Sequence, residues 1–213
     1  MKRVRQNVLM FFGKISMLPS GFTLMKNYLD RVQCESLVIE LRQVVKQSPL
    51  FTPTLYGNPF RYQMTNAGNL GWVVENDQYL YVDSHPITGK AWPKIPDSLI
   101  KLSRELLGDN FKAQCCLINL YGKDSTLGLH VDKTEKVSKP ILSVSLGDDA
   151  IFLMGGIKKS NKVERILLRS GDVLILSDTA RLSYHGIEKI NFGSSDLLRN
   201  GGRLNLTIRQ VTV

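Results

Sequence analysis

The chain has 213 residues, 43% of them hydrophobic, and a formal net charge of +9. That content is enough for one globular domain with a sizeable core, and no apolar run approaches the roughly 20 residues a membrane-spanning helix needs. The charge favours phosphate-bearing partners, nucleic acid first and acidic membrane second, while Cys34 and the adjacent Cys115 and Cys116 form neither a disulfide framework nor a CxxC metal site, which points to a reduced, cytoplasmic setting.

Residues 1–14 open with basic groups, but Gly13 and Lys14 cut the apolar stretch short and no small-residue cleavage site follows, so a secretory signal is not expected. Over 24–46, Leu29, Val32, Leu37, Leu41, Val44 and Val45 recur at helical spacing until Ser48-Pro49 stops the pattern, which predicts an amphipathic helix. Between Pro49 and Trp92 the signals change to short aromatic runs separated by Pro53, Gly57, Asn58-Pro59, Gly68 and Gly71. These read as hairpins and loops that could cover a substrate. Pro96-Asp97 opens a second helix with Leu99, Leu102 and Leu106 on one face and Gly108 as its stop. Strand-like runs follow at 114–121, 127–131, 140–146, 150–154, 163–168, 172–176, 182–187 and 203–211, separated by Gly-Asp, Gly-Gly and Asn-Gly-Gly turns. This spacing predicts an α+β, mainly β chain, an antiparallel sandwich or jelly roll behind N-terminal helices.

In a strand, residues i and i+2 share a face, so His130 and Asp132 can converge on one ion while Val131 points into packing. His185, several strands later, supplies a second imidazole. Two imidazoles and a carboxylate on one side of a metal leave positions open, as in non-haem Fe(II) oxygenases. Taken alone, His-x-Asp is a weak signal, and the ordinary reading is a hydrogen-bonded pair with His185 a packed or surface histidine. The chain lacks His-Glu-x-x-His, a P-loop, a Gly-x-Gly-x-x-Gly fingerprint and a Gly-x-Ser-x-Gly elbow, so the enzyme classes they mark lose support.

The last run alternates strictly, with Arg203, Asn205, Thr207 and Arg209 on one face and Leu204, Leu206 and Ile208 on the other. Such alternation usually means a half-exposed strand. Arginines also bind carboxylates in a fixed fork geometry, so these two suit a dicarboxylate, with Asn119 and Tyr121 offering neutral donors from another shared face.

Asn119-x-Tyr121, His130-x-Asp132, His185 within Tyr-His-Gly-Ile, and Arg203-x-Asn205-x-x-x-Arg209 resemble, in order and spacing, the AlkB family of dioxygenases that repair alkylated nucleic acids. The resemblance runs from about Met64 to the C-terminus and includes Gly71-Trp72, Tyr79-Leu-Tyr81 and Val144-Ser-Leu-Gly147. It implies a double-stranded β-helix (jelly roll) core over 96–213, a nucleotide-recognition hairpin lid over 51–95, and an extension with a helix packed on the core over 1–50. It implies Fe(II) on His130, Asp132 and His185, and 2-oxoglutarate on Asn119, Tyr121, Arg203, Asn205 and Arg209. With O2 as oxidant, N-alkylated bases of the 1-methyladenine and 3-methylcytosine type would be demethylated, releasing formaldehyde, succinate and CO2. Trp72 would stack on the extruded base opposite His130 and Tyr79 would reach a phosphate, with Met64, Thr134 and Lys159 as further substrate contacts. Lys158, Lys162 and Arg165, with Lys133, Lys136 and Lys139, would flank the phosphates from turns. The expected partner is alkylated DNA or RNA, single-stranded for preference, met by a monomer without a membrane.

One position departs from the pattern. Bacterial members usually read His-x-Asp-x-Asp, whereas Thr134 stands here in place of the second acid, so an ionised acceptor becomes a hydroxyl and base preference is expected to change. Two alternatives remain open from the residues: a related hydroxylase acting on RNA, protein or a small molecule, and a non-catalytic β-barrel that binds nucleic acid by charge and stacking.

Overall fold

The structure, a computed structural model, describes residues 18–213. The basic opening at 1–14 and the first part of the expected extension lie outside the described residues. Strand β1 (Phe22–Met25) precedes helix α1 (Arg31–Gln47). The helix therefore starts later than periodicity predicts. Leu24 and Met25, at the expected helix start, pair instead with a strand from late in the chain, so a tertiary partner overrides the local pattern. Asp30 and Gln33 form a reciprocal capping box that fixes the true start.

The segment read as hairpins contains β2 (Thr54–Leu55), β3 (Asn58–Pro59), β4 (Gln63–Gly68), β5 (Gly71–Glu75) and β6 (Gln78–Val82). Strands β2–β3 and β5–β6 are separate two-stranded ribbons, whereas β4 belongs to the main sheet. Gly71 lies so close to Trp92 that an added Cβ would stand 2.3 Å from the indole. Trp92 in turn donates through Nε1 to the Val82 carbonyl at 3.0 Å, so the β5–β6 ribbon is clamped at its base. Helix α2 (Asp97–Leu107) ends at Gly108, whose φ of 89° suits glycine.

The remaining strands are β7 (Cys115–Tyr121), β8 (Leu127–His130), β9 (Ile141–Gly147), β10 (Asp149–Met154), β11 (Glu164–Leu168), β12 (Val173–Leu176), β13 (His185–Asn191) and β14 (Arg203–Arg209). A six-stranded sheet runs β1-β12-β9-β14-β7-β4 and a four-stranded sheet runs β11-β10-β13-β8, with antiparallel neighbours throughout. This is the jelly roll expected from the sequence. The run at 182–187 is corrected: Asp178–Leu182 forms a 3₁₀ turn and the strand begins only at His185.

Two apolar clusters explain the layering. One lies between the sheets and joins Met64, Cys115, Leu117 and Leu174 to Phe152, Met154 and Ile187. The other lies between the six-stranded sheet and the helices and joins Cys116, Ile118, Leu142, Leu206 and Ile208 to Leu37, Leu41, Leu99 and Leu102. Adjacent Cys115 and Cys116 thus face opposite layers, as strand geometry requires. Leu204, Leu206 and Ile208 face the helices, which turns Arg203, Asn205, Thr207 and Arg209 into the space between the sheets. Among the described residues, no helix is long and apolar enough to cross a membrane.

Candidate active site

His130 ends β8 and His185 begins β13, and the two are direct partners in the antiparallel ladder. Their rings lie 4.4 Å apart between centroids. His130 Nδ1 bonds the Gly128 carbonyl at 2.9 Å and His185 Nδ1 bonds the Ser183 carbonyl at 3.0 Å. A carbonyl only accepts, so each Nδ1 carries a proton and Nε2 is the ring nitrogen turned towards Asp132. Asp132 lies just beyond the end of β8. Its carboxylate oxygens stand 3.8 Å from His130 Nε2 and 3.6 Å from His185 Nε2. One ligand atom from each residue falls within 4.8 Å of the others. Val131 does not pack away from the site as the strand alternation predicts; the strand has ended, and Val131 lines the pocket.

Electrostatics puts these ligands in the forms a cation needs. Burial and the neighbouring His185 push the His130 imidazole down to about 4, despite the opposing pull of Asp132. Burial alone would raise the Asp132 carboxyl, but the Arg209 guanidinium and both imidazoles outweigh it and hold the group well below the usual carboxylate range. A neutral His130 and an ionised Asp132 therefore face each other at neutral pH, the states that metal binding selects.

Beside the triad, a pocket runs into the sandwich past Asn119, Tyr121, Arg203, Asn205, Thr207 and Arg209. Register places them together: Arg203 pairs with Tyr121, Asn205 with Asn119 on one side and with Ser145 on the other. Arg203 is 1% exposed. Its Nη2 donates to Ser145 Oγ at 3.0 Å and its guanidinium lies 5.5 Å from the Tyr121 ring. Burial pushes its pKa down to about 10, so it stays charged at neutral pH. Its Nε and Nη1, Arg209 Nε and Asn119 Oδ1 are all buried without a hydrogen-bond partner. The three arginine nitrogens among them are donors, costly to leave bare and matched to a carboxylate, whereas Asn119 Oδ1 is an acceptor that calls for a donor. Burial also pushes the Tyr121 phenol up to about 12, which keeps its hydroxyl protonated.

Arg209 differs from Arg203. Its Nη2 donates to Asp132 at 3.0 Å, and its Nη1 donates to Glu135 at 2.7 Å and Tyr81 Oη at 3.1 Å. Glu135 also accepts from Tyr81 Oη and from Arg181. Sequence reasoning passed over Glu135, Arg181, Tyr81, Ser143 and Ser145 as site residues. Ser143 and Ser145 alternate on β9 in step with β14, a period-2 signal that could have revealed them.

At the mouth, Trp72 of β5 and Tyr79 of β6 stack with centroids 5.2 Å apart and planes at 27°. Tyr79 is 47% exposed. The buried Asn66 amide grips both backbone groups of Trp72, at 3.0 and 3.1 Å. Thr134 lines the same pocket. Met64 is fully buried in the cluster between the sheets, paired with Asn119, and does not line the pocket. Lys159 sits on an exposed turn outside the pocket lining. Arg165 is not on a turn: it lies on β11, where Glu188 grips it through both carboxylate oxygens, and Lys162 pairs with Glu164, so part of the basic set is neutralised locally.

Residues 21–209 match the family model of the 2OG-Fe(II) oxygenase superfamily. The chain is 40% identical over 192 residues to the alpha-ketoglutarate-dependent dioxygenase AlkB homolog of Caulobacter vibrioides, covering 89% of this chain and 87% of that protein. It is 37% identical over 201 residues to alpha-ketoglutarate-dependent dioxygenase AlkB of Escherichia coli K12, covering 91% of each. The solved structure of OsALKBH1 superposes with a TM-score of 0.74 at 30% identity, covering 91% of this chain and all of that one. A triad suited to a divalent ion, a pocket of bare cationic donors beside it and these likenesses agree: the chain belongs to the AlkB family of Fe(II)- and 2-oxoglutarate-dependent dioxygenases.

Proposed function

We propose that this enzyme demethylates N-alkylated bases in single-stranded nucleic acid, with His130, Asp132 and His185 holding Fe(II). Arg203 takes one carboxylate of 2-oxoglutarate, Asn119, Tyr121 and Asn205 frame its body, and Arg209 holds Asp132 while turning its free Nε into the same pocket. When bound, iron, 2-oxoglutarate and O2 supply the oxidation of the N-methyl carbon, which leaves as formaldehyde alongside succinate and CO2. The protein's share is placement. It orients the ligands through Gly128 and Ser183, excludes water from Arg203, and presents an aromatic platform at the pocket mouth.

The observation that carries the substrate reading is the Trp72–Tyr79 stack at the mouth of the cavity that holds the triad. A base must leave its stack to reach such a cavity, and an aromatic face replaces the stacking it loses. Tyr79, at the rim, is placed to meet a backbone phosphate. The exposed lysines of the 131–139 loop, Lys133, Lys136 and Lys139, add attraction for the strand. The reading includes a monomer working in the cytoplasm, and the three cysteines, free and buried, support the reducing compartment.

Formaldehyde release from single-stranded oligonucleotides bearing 1-methyladenine or 3-methylcytosine, with Fe(II) and 2-oxoglutarate, tests the proposal directly. Turnover of 2-oxoglutarate without any formaldehyde from either oligonucleotide would turn the reading towards a protein or small-molecule hydroxylase. Trp72→Ala is expected to raise KM for the oligonucleotide roughly five- to hundredfold, from a stacking loss of about 1–3 kcal/mol, with KM for 2-oxoglutarate unchanged. Thr134→Asp restores an anionic acceptor in the pocket and is expected to shift the 1-methyladenine to 3-methylcytosine turnover ratio severalfold. An unchanged ratio would remove Thr134 from base selection.

A further inference from the structure

Asp132, just past the end of β8, and His185, at the start of the neighbouring strand β13, share one mount. The 3₁₀ turn Asp178–Leu182 runs directly into the strand that begins with His185. Ser183, at its end, accepts from His185 Nδ1 at 3.0 Å and so sets that ring's orientation. Its own hydroxyl donates back to the Thr179 carbonyl at 2.9 Å. Within the turn, Arg181 is 4% exposed and reaches across to the loop joining β8 to β9. There it makes contacts at three points: Nη1 to the Asp132 carbonyl at 2.7 Å, Nη2 to the Glu135 carboxylate, and Nε to the Lys139 carbonyl at 3.1 Å. The loop is thus held at its start, middle and end by one planar group. The turn is itself fixed from behind, where the Ser177 amide donates to the Gly21 carbonyl at 2.9 Å and the Thr179 hydroxyl to the Ser20 carbonyl at 2.8 Å.

We propose that Arg181 is a positioning residue for the metal centre: by clasping the 131–139 loop onto the turn that launches His185, it sets the separation of Asp132 from His185. The reasoning is geometric. A loop outside any strand cannot hold a carboxylate to within a few tenths of an ångström of its working place by local structure alone, and a guanidinium with all three nitrogens engaged is stiff enough to do so. Glu135 is the joint in this clasp, because it also accepts from Arg209, which grips the Asp132 carboxylate from the opposite side. Backbone and side chain of Asp132 are therefore held by two different arginines that share one glutamate.

The proposal rests on the reading of His130, Asp132 and His185 as the ligand set, and it is tested by metal binding without turnover. Mn(II) binding is followed by electron paramagnetic resonance in wild type, Arg181→Met and Arg181→Lys, with hydrogen exchange of the 131–139 amides in the metal-free proteins. Arg181→Met is expected to weaken Mn(II) roughly ten- to hundredfold, the usual effect of losing an outer-shell partner, and to speed exchange in the loop. Arg181→Lys, which keeps the charge but reaches one acceptor at a time, is expected to fall in between. A role confined to stability would lower the melting temperature of Arg181→Met and leave its Mn(II) affinity, measured well below the transition, within twofold of wild type; that result overturns the proposal. Should Arg181→Met not fold, Arg181→Lys decides, since wild-type affinity in it is equally fatal. A wild-type protein that takes up no Mn(II) would overturn the ligand reading, and the clasp with it, whereas tight binding in wild type and Arg181→Met alike overturns the clasp alone.

Discussion

His130→Ala is expected to give a folded protein that no longer binds Mn(II) and releases no formaldehyde from methylated oligonucleotides. The loss in metal affinity should exceed the roughly 10–100-fold typical of removing an outer-shell partner, because a ligand itself is gone. The fold should survive for reasons visible in the metal-free arrangement. His130 is neutral at neutral pH, pushed down to about 4 by burial and by His185, so its removal strands no charge. Its carboxylate neighbour Asp132 keeps Arg209 at 3.0 Å and therefore stays ionised and paired. Nor does the sandwich depend on this imidazole, which sits at the end of β8 and lines the pocket rather than either apolar cluster. Circular dichroism, Mn(II) titration and formaldehyde assay on one preparation check the set. A His130→Ala protein with wild-type turnover would refute the iron assignment outright.

What the sequence revealed of this site, and what it withheld, follows from the range of the interactions involved. Alternation along 203–209 was enough to put Arg203, Asn205, Thr207 and Arg209 on one face, because side-chain direction in a strand is a local property. Whether that face met water or the interior was not local. A half-exposed strand and a strand lining a polar pocket share the same pattern, and only the position of β14 between β9 and β7 decides between them. The same limit explains the start of α1. The expected helix starts near Leu24, but strand β12, some 150 positions away, pairs with Leu24 and Met25. Arg181 and Glu135 carried no signal, since their meeting joins residues 46 positions apart and neither belongs to a periodic run. His130, Asp132 and His185 stood out because a pair of imidazoles and a carboxylate is a pattern of residue types that a metal site requires, and the fold brings the three together. Their supports, Gly128, Ser183 and Arg181, act largely through backbone carbonyls or across loops, and leave none.

Arg203→Met tests whether Arg203, rather than Arg209, is the arginine that anchors 2-oxoglutarate. Arg203 is a charged group at the centre of a sandwich with only Ser145 and the face of Tyr121 for company, and two of its nitrogens are bare. Burying such a charge opposes folding unless a partner arrives. An apolar side chain of similar length removes that penalty, so the metal- and co-substrate-free variant should melt at or above the wild-type temperature. Co-substrate binding should move the opposite way. Two charge-assisted hydrogen bonds of about 1.5–3 kcal/mol each are at stake, and a net loss of about 3 kcal/mol corresponds to roughly a hundredfold rise in KM for 2-oxoglutarate. Arg209→Met should behave differently, because Arg209 already holds Asp132 and Glu135 at 3.0 and 2.7 Å. Removing it leaves carboxylates buried without their main counter-charge, an error that costs about 3–5 kcal/mol of stability, so this variant should melt well below wild type even before any ligand is added. Melting curves with and without 2-oxoglutarate and Mn(II), together with 2-oxoglutarate kinetics, distinguish the two arginines. If Arg203→Met binds 2-oxoglutarate within twofold of wild type, the bare nitrogens of Arg203 are not the co-substrate's anchor and the carboxylate must be sought elsewhere in the pocket.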